Sequence, residues 1–282
     1  MNNTTNYPEY PEGGKRASGG RRRRKRKQSR ALYYVILVIL LGVLVFSAVK
    51  IISYFKQQAD ASNAQDEINQ NYITPGSSDS SDGTDGNKDD TTAKDPDPDT
   101  IDVDFGQLCA DYPDVVGYIY SANTKIQQPI QYGKGNDYYL THDLKGNTNN
   151  NGSIFIEELN SSSFSDGNTI IYGHNMKTGM MFAGLRNYHT DKSYYAAHPY
   201  MYIYTPSQNY RLDLYAGFVC DHDDEIYATS LTQAQLEAMA AKSDFKSTIG
   251  TPTGKTVTLS TCSYEYSDAR YVVIGALVPI AD

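Results

Sequence analysis

Thr256-Val-Thr-Leu-Ser-Thr-Cys262-Ser-Tyr-Glu-Tyr-Ser-Asp-Ala-Arg270-Tyr-Val-Val-Ile-Gly-Ala-Leu-Val278 reads as two strand-like runs, with a loop of seven residues between Cys262 and Arg270. A loop that short favours antiparallel neighbours. Cys262 and Arg270 are therefore expected at the same end of a sheet. Strand alternation puts Thr258, Ser260 and Cys262 on one face and Val257, Leu259 and Thr261 on the other. The thiol thus shares its face with small hydroxyl residues and ends its strand just before a polar loop.

Working outward, similar short apolar or alternating runs recur at Val115–Tyr120, Pro129–Tyr132, Ser153–Ile156, Thr169–Tyr172, Tyr200–Tyr204 and Arg211–Cys220. Turn-rich pieces separate them, notably Gly146–Gly152 and Asn160–Asn168. Many short strands with Gly/Asn turns predict a mainly β fold, a closed or nearly closed barrel. Phe105, Leu108, Cys109 and Tyr112 fall at helical spacing, and Pro113 ends that short helix. Helical insertions are expected at Met180–Tyr188 and Leu231–Lys242, and no internal repeat is visible. The folded part, 101–282, has about 180 residues, enough for one substantial core.

The N-terminal third has a different character. The formal charge of −8 hides ten Lys or Arg within residues 15–30, with no acid among them. Ala31 to Val49 then gives nineteen uncharged residues. As a helix they rise roughly 28 Å, close to the hydrocarbon thickness of a bilayer. Positive charge stays inside. This predicts a cytoplasmic basic tail at 1–30, a transmembrane signal anchor at 31–52, and an extracellular domain at 101–282. A nucleic-acid patch is the poorer account of a basic run abutting a spanning segment, so no nucleic-acid partner is expected. A cleaved signal peptide is a second reading, because Ala59-Asp-Ala61 loosely mimics a cleavage site. Signal-peptide apolar cores run about 7–15 residues, shorter than this one. Residues 53–76 are polar and compatible with helix. From Ser77 to Thr100 the chain is Ser, Asp, Gly, Thr and Pro with almost nothing apolar, so 53–100 is read as an acidic disordered linker.

Three cysteines are an odd number, which leaves at least one thiol over if any pair forms. Cys109 suits a buried structural role on the stripe of its helix. Cys220 suits one too, in register with Leu212, Leu214, Ala216 and Phe218. Cys262 alone ends a strand. Of the histidines His142, His174, His189, His198 and His222, His174 stands out. It closes the apolar run Ile170-Ile-Tyr-Gly-His174 and precedes the loop Asn175–Gly179. His222 is crowded by Asp221, Asp223, Asp224 and Glu225, a cluster with oxygen ligands but no recognisable cation-loop motif, so no metal is expected. Arg270 has two readings: a donor to an oxyanion or a substrate backbone, or a surface ion pair with Glu265 or Asp268. A thiol is a strong nucleophile as thiolate, a form that an imidazolium and a positive charge favour. These are the parts for acyl transfer through a thioester.

Thr258-Leu-Ser-Thr-Cys262 with a downstream Arg270, together with Tyr172-Gly-His174 and Met181-Phe-Ala-Gly-Leu185, resembles a class B sortase. The resemblance extends over 101–282 and includes Val103-Asp-Phe, Pro113-Asp-Val-Val-Gly-Tyr-Ile119 and Asn136-Asp-Tyr-Tyr-Leu140-Thr-His-Asp. The 231–242 insertion ahead of the nucleophile's strand fits that class as well. The resemblance implies an eight-stranded sortase barrel and a cysteine transpeptidase of the Gram-positive cell envelope, of thiol-protease type and without a cofactor. On that pattern Cys262 is the nucleophile, His174 the acid/base, and Arg270 the positioning or oxyanion group. The sorting-signal groove would involve Asn136, Leu140, Tyr172 and Ser260. Implied partners are secreted proteins with a C-terminal sorting signal cleaved after Thr, and an acceptor amine of a peptidoglycan cross-bridge or its lipid-linked precursor. A pilin lysine is the main variant. An envelope cysteine peptidase and a non-catalytic surface-binding barrel are the rival functions. Tyr118 stands where the family commonly has Trp, and Ser263, after the nucleophile, is at a variable position.

Overall fold

Which side of each strand is apolar decides how this chain closes on itself. A computed structural model describes residues 28–74 and 101–280. Along the chain these form α1 (Gln28–Tyr72), β1 (Ile73–Thr74), β2 (Asp102–Val103), α2 (Phe105–Asp111), β3 (Val115–Tyr120), β4 (Gln127–Gln131) and α3 (Asn136–Tyr139). They continue with β5 (Ile154–Ile156), β6 (Asn168–Tyr172), a 3-10 turn at Phe182–Arg186, α4 (Asn187–Thr190), α5 (Tyr194–Ala197), β7 (Tyr200–Tyr204) and β8 (Tyr210–Cys220). A 3-10 turn at Glu225–Tyr227, α6 (Gln233–Ala241), β9 (Thr256–Cys262) and β10 (Arg270–Pro279) complete the fold.

Among the described residues, eight strands close into a barrel in the order β10-β8-β7-β3-β4-β5-β6-β9. Two neighbouring pairs are parallel, β4 with β5 and β6 with β9. Each of the eight strands sends at least one apolar side chain into a single buried cluster, among them Ile119, Ile130, Ile154, Ile171, Ile203, Leu214, Val257 and Val273. Only a barrel interior is shared by all eight. Burying such a side chain contributes about 1.5–3 kcal/mol, so this cluster is the main source of stability.

Two further clusters lie on the outer faces. Helix α6 starts with a capping box of Thr232 and Gln235. It packs Leu236 and Met239 with Ala216, Phe218, Val272 and Ile274 of β8 and β10. Helix α2, capped by Asp104 accepting from the Gln107 N–H at 2.9 Å, buries Leu108 with Val115, Tyr118, Tyr120, Tyr202 and Tyr204. The C-terminal turns of α1 join this second cluster through Ile68 and Tyr72.

Two expectations need revision. Cys220 does not share one face with all of Leu212, Leu214, Ala216 and Phe218. The β8–β10 register pairs Leu214 with Gly275 but Ala216 with Ile274, so Tyr215 is an extra residue in β8. Such a bulge reverses the alternation. Leu212 and Leu214 therefore face the interior, whereas Ala216, Phe218 and Cys220 face α6. The other revision concerns 53–74, read as the start of the linker. These residues complete α1 and form β1, which pairs antiparallel with β2. The remainder of the linker, 75–100, and the tail at 1–27 lie outside the described residues.

The chain divides into two units, Met1–Ile51 and Ile52–Asp282. In the first, the described side chains from Arg30 onward are all exposed, including Leu40 at 63% and Phe46 at 65%. By length and composition this stretch of α1 is a candidate membrane span.

Candidate active site

The topology alone brings the expected residues together. Strands β6 and β9 run parallel, with Tyr172 opposite Ser260. Two residues on, His174 follows one strand while Cys262 ends the other. Strand β10 runs back along β9, and Arg270, its first residue, pairs with Cys262. All three functional groups therefore come to the same barrel end. With Asn136, Leu140, Tyr172 and Ser260 they line one cavity of about 230 Å³.

Backbone bonds fix the relation of histidine to cysteine. The Gly173 N–H donates to Ser260 O at 3.1 Å, which extends the β6–β9 ladder by one step. Asn175 Nδ2 donates to Cys262 O at 2.7 Å. A side chain at Gly173 has no room: its Cβ would lie 2.7 Å from the Phe182 ring. His174 Nε2 is 3.1 Å from Leu140 O. A carbonyl only accepts, so the proton in this contact sits on Nε2, and Nδ1 is the nitrogen left to exchange a proton.

The other two thiols are poor nucleophiles. Cys109 donates to Val115 O at 3.4 Å, and burial pushes its pKa up. Burial, followed by the charge of Asp224, pushes the Cys220 thiol up to about 12. Arg270 does not take its ion-pair reading. Glu265 instead pairs with Arg186 at 3.0 Å and lies 3.9 Å from His189. Arg270 Nη1 donates to the Asp268 and Ala269 carbonyls at 3.2 and 3.3 Å, which holds the guanidinium at the turn beside Cys262.

The predicted groove residues do line the cavity, but three of their polar groups already have partners. Asn136 donates to Glu157 at 2.9 Å and accepts from the Glu158 N–H at 3.1 Å. Tyr172 Oη donates to the same Glu157 carboxylate at 2.9 Å. Burial, then the Glu157 charge, raises the Tyr172 pKa, so the phenol stays neutral. Ser260 Oγ and Tyr227 Oη share a bond of 2.8 Å. These contacts set the shape of the cavity wall.

Sequence reasoning missed Phe155, Tyr227 and His222, which complete the cavity lining. Tyr227 owes its place to Asn168, a fully buried residue that begins β6. Asn168 Nδ2 donates to the carbonyls of Ile226 and Ala228, both at 2.9 Å, and its Oδ1 accepts from Thr256 and Thr258. Each buried polar group left unpaired would cost about 1–3 kcal/mol. One asparagine thus staples the Tyr227 segment to the nucleophile's strand. The signal was available in Thr258, expected on the hydroxyl face, but its partner is far away in sequence.

Comparison with known proteins points the same way as the geometry. The Sortase domain description matches residues 133–278. Sortase B of Listeria monocytogenes is 38% identical over 174 residues, covering 58% of this chain and 70% of that protein. A Staphylococcus aureus sortase B–substrate complex superposes with a TM-score of 0.57 at 27% identity, over 63% of this chain and 85% of that one. A Bacillus anthracis protein described as similar to sortase B reaches 0.60 at 26% identity, over 81% and 98% of the two chains. With a closed eight-stranded barrel carrying cysteine, histidine and arginine at one end, the chain belongs to the sortase family of cysteine transpeptidases, among those of class B.

Proposed function

We propose that this protein is a membrane-anchored transpeptidase that cleaves a C-terminal sorting signal after Thr and transfers the new carboxyl end to a peptidoglycan amine. The observation carrying this reading is the meeting of Cys262, His174 and Arg270 around one cavity. The Cys262 Sγ thiolate adds to the carbonyl carbon of the Thr residue, and the electron pair moves to the carbonyl oxygen. Arg270, paired with Cys262 across β9 and β10, supplies the positive charge that stabilises this oxyanion. The C–N bond then breaks as the His174 imidazolium gives its proton to the departing amine. In the second half the acceptor amine attacks the thioester, gives a proton back to His174, and expels the thiolate. Asn136, Leu140, Tyr172 and Ser260 form the wall against which the sorting peptide lies.

Structures of the S. aureus relative include one with substrate and one with a triglycine peptide. They support a peptide donor and an amine acceptor for the related site here. The test is mass spectrometry of the protein incubated with a library of Thr-containing donor peptides. A covalent adduct on Cys262 that collapses to a ligated product only with added amine is the expected result. Hydrolysed peptide at the same rate with and without amine would instead make water the acceptor and the protein a peptidase.

The exposed apolar surface of 31–52 supports the anchor, because water-exposed apolar patches of that size are unfavourable. With the basic run ahead of it, the N-terminus lies in the cytoplasm and residues 101–282 lie outside. The full chain is expected to fractionate with membranes, with 101–282 open to protease added to intact cells. Recovery of a released protein shortened at Ala61 would overturn the anchor.

A further inference from the structure

The last turns of α1 do more than link the barrel to the segment before it. On one side they are fastened to the barrel wall. Ile68 is 1% exposed, Tyr118 Oη donates to Asn69 at 2.7 Å, and Gln65 Nε2 donates to the Gln127 carbonyl. On the other side they hold the loop that runs from Leu140 to Gly152. Asn151, only 8% exposed, donates through Nδ2 to Gln57 O at 3.0 Å and accepts from Gln58 Nε2 at 3.5 Å. Lys145 pairs with Glu67 at 2.8 Å, an exposed contact that adds little.

That loop is itself closed and stiff. Asn149 donates its N–H to Thr141 O at 2.8 Å and accepts at Oδ1 from the Asn151 N–H at 3.0 Å. Ser153 donates its N–H to Tyr139 O and its Oγ to His142 O. Both ends of the loop touch His174. Leu140 O meets its Nε2, and Gly152 lies so close that a Cβ there would be 3.0 Å from His174 Cδ2. Gly152 also has a φ of +58°, so glycine is required twice over at this point. The loop that follows His174 is reached as well. Met180 and Met181 line a cavity of about 80 Å³ together with Ala64, Gln65 and Ile68 of α1 and with Asn149 and Gly152.

We infer that the Gln57–Ile68 stretch of α1 is a positioning element for catalysis, acting on His174 through Asn151 and the Leu140–Gly152 loop. The inference rests on His174 being the acid/base. The helix touches neither substrate nor thiol. It fixes the imidazole between two loops, so that its proton meets the departing amine at the right distance. Misplacing a reacting group by about 1 Å costs up to about 10²-fold in rate, and a loosened loop permits part of such a shift. The same helix is continuous back to Gln28, so the residues that orient the catalytic imidazole belong to the element that carries the apolar segment. A catalytic domain severed from this helix would keep its barrel and lose the bracing of His174.

The experiment uses the full chain in detergent. Asn151→Ala and Gln58→Ala are compared with Tyr72→Phe, which removes the bond from Tyr72 to Asp111 farther along the same helix. Turnover of donor peptide plus amine, donor KM and the thermal midpoint are measured. The ring signals of 13C-labelled histidine are recorded too, with His174 assigned from its loss in His174→Gln. Asn151→Ala is expected to lower kcat about tenfold with KM within about twofold, and to displace the His174 signal alone among the five histidines. Gln58→Ala should do the same to a lesser degree, and Tyr72→Phe should do neither. An Asn151→Ala protein with wild-type kcat, or one slowed with its His174 signal unmoved, overturns the inference. If wild type forms no acyl-enzyme, the function reading fails instead, and the histidine signals still test whether α1 sets the place of His174.

Discussion

Cys262→Ala is expected to abolish both the acyl-enzyme and the transfer product, a loss on the order of 10⁴-fold or more, as when the nucleophile of a covalent mechanism is removed. The size of the effect follows from the absence of a substitute. Cys109 holds its thiol against a backbone carbonyl, in surroundings that favour the protonated form. Cys220 is buried under α6, with its pKa pushed up to about 12. Neither lines the cavity that contains His174 and Arg270. Cys109→Ala and Cys220→Ala should therefore retain substantial activity. Intact-mass measurement after incubation with donor peptide checks all three variants, and turnover retained by Cys262→Ala would remove the thioester from the mechanism.

The strands of the barrel were legible because period-two alternation persists wherever one face is buried and the other is not. Val115–Tyr120 and Tyr200–Tyr204 have the boundaries the pattern predicts. Strand β4 begins earlier than expected, at Gln127, since its first two residues are glutamines that pair in the ladder without an apolar signature. The bulge at Tyr215 was hidden for the opposite reason. Both faces of β8 are apolar there, one against the interior and one against α6, so a change of face leaves no trace in the pattern. The end of α1 escaped because it binds by amide hydrogen bonds and a few buried side chains such as Ile68 and Tyr72, in place of a continuous apolar stripe.

The site divides along the same line. Cys262, His174 and Arg270 could be singled out because each lies at a strand boundary next to a polar loop. Their convergence could not be read in full, because the parallel β6–β9 pairing joins segments far apart in sequence. The antiparallel neighbourhood of Cys262 and Arg270 was legible from one short loop. Residues that act by holding others, such as Asn168 and Asn151, were invisible. An asparagine in a turn-rich stretch looks the same whether it faces water or staples two distant segments.

Arg270→Lys is the sharpest test of the third role. The rival reading, an ion pair with Glu265 or Asp268, finds no support among the described residues, since Glu265 is engaged by Arg186 and approached by His189. What Arg270 does contact is the turn itself, through bonds from Nη1 to the carbonyls of Asp268 and Ala269. A guanidinium has five N–H donors, so bonds made by one nitrogen leave others for a second partner. Lysine keeps the charge but offers a compact ammonium on a flexible stem, which cannot bond the turn and face an oxyanion in the same fixed geometry. Turnover is therefore expected to fall on the order of 10²-fold or more, the scale of losing one oxyanion donor. The thermal midpoint should barely move, because a partly exposed side chain bonded to a surface turn contributes less than about 1 kcal/mol. Donor KM is expected to change little, since a group that acts on the oxyanion is felt in the transition state and not in the bound peptide. A lysine variant with near wild-type kcat would show that Arg270 serves the turn and not the reaction. A rise in KM alone would assign it to holding the peptide backbone.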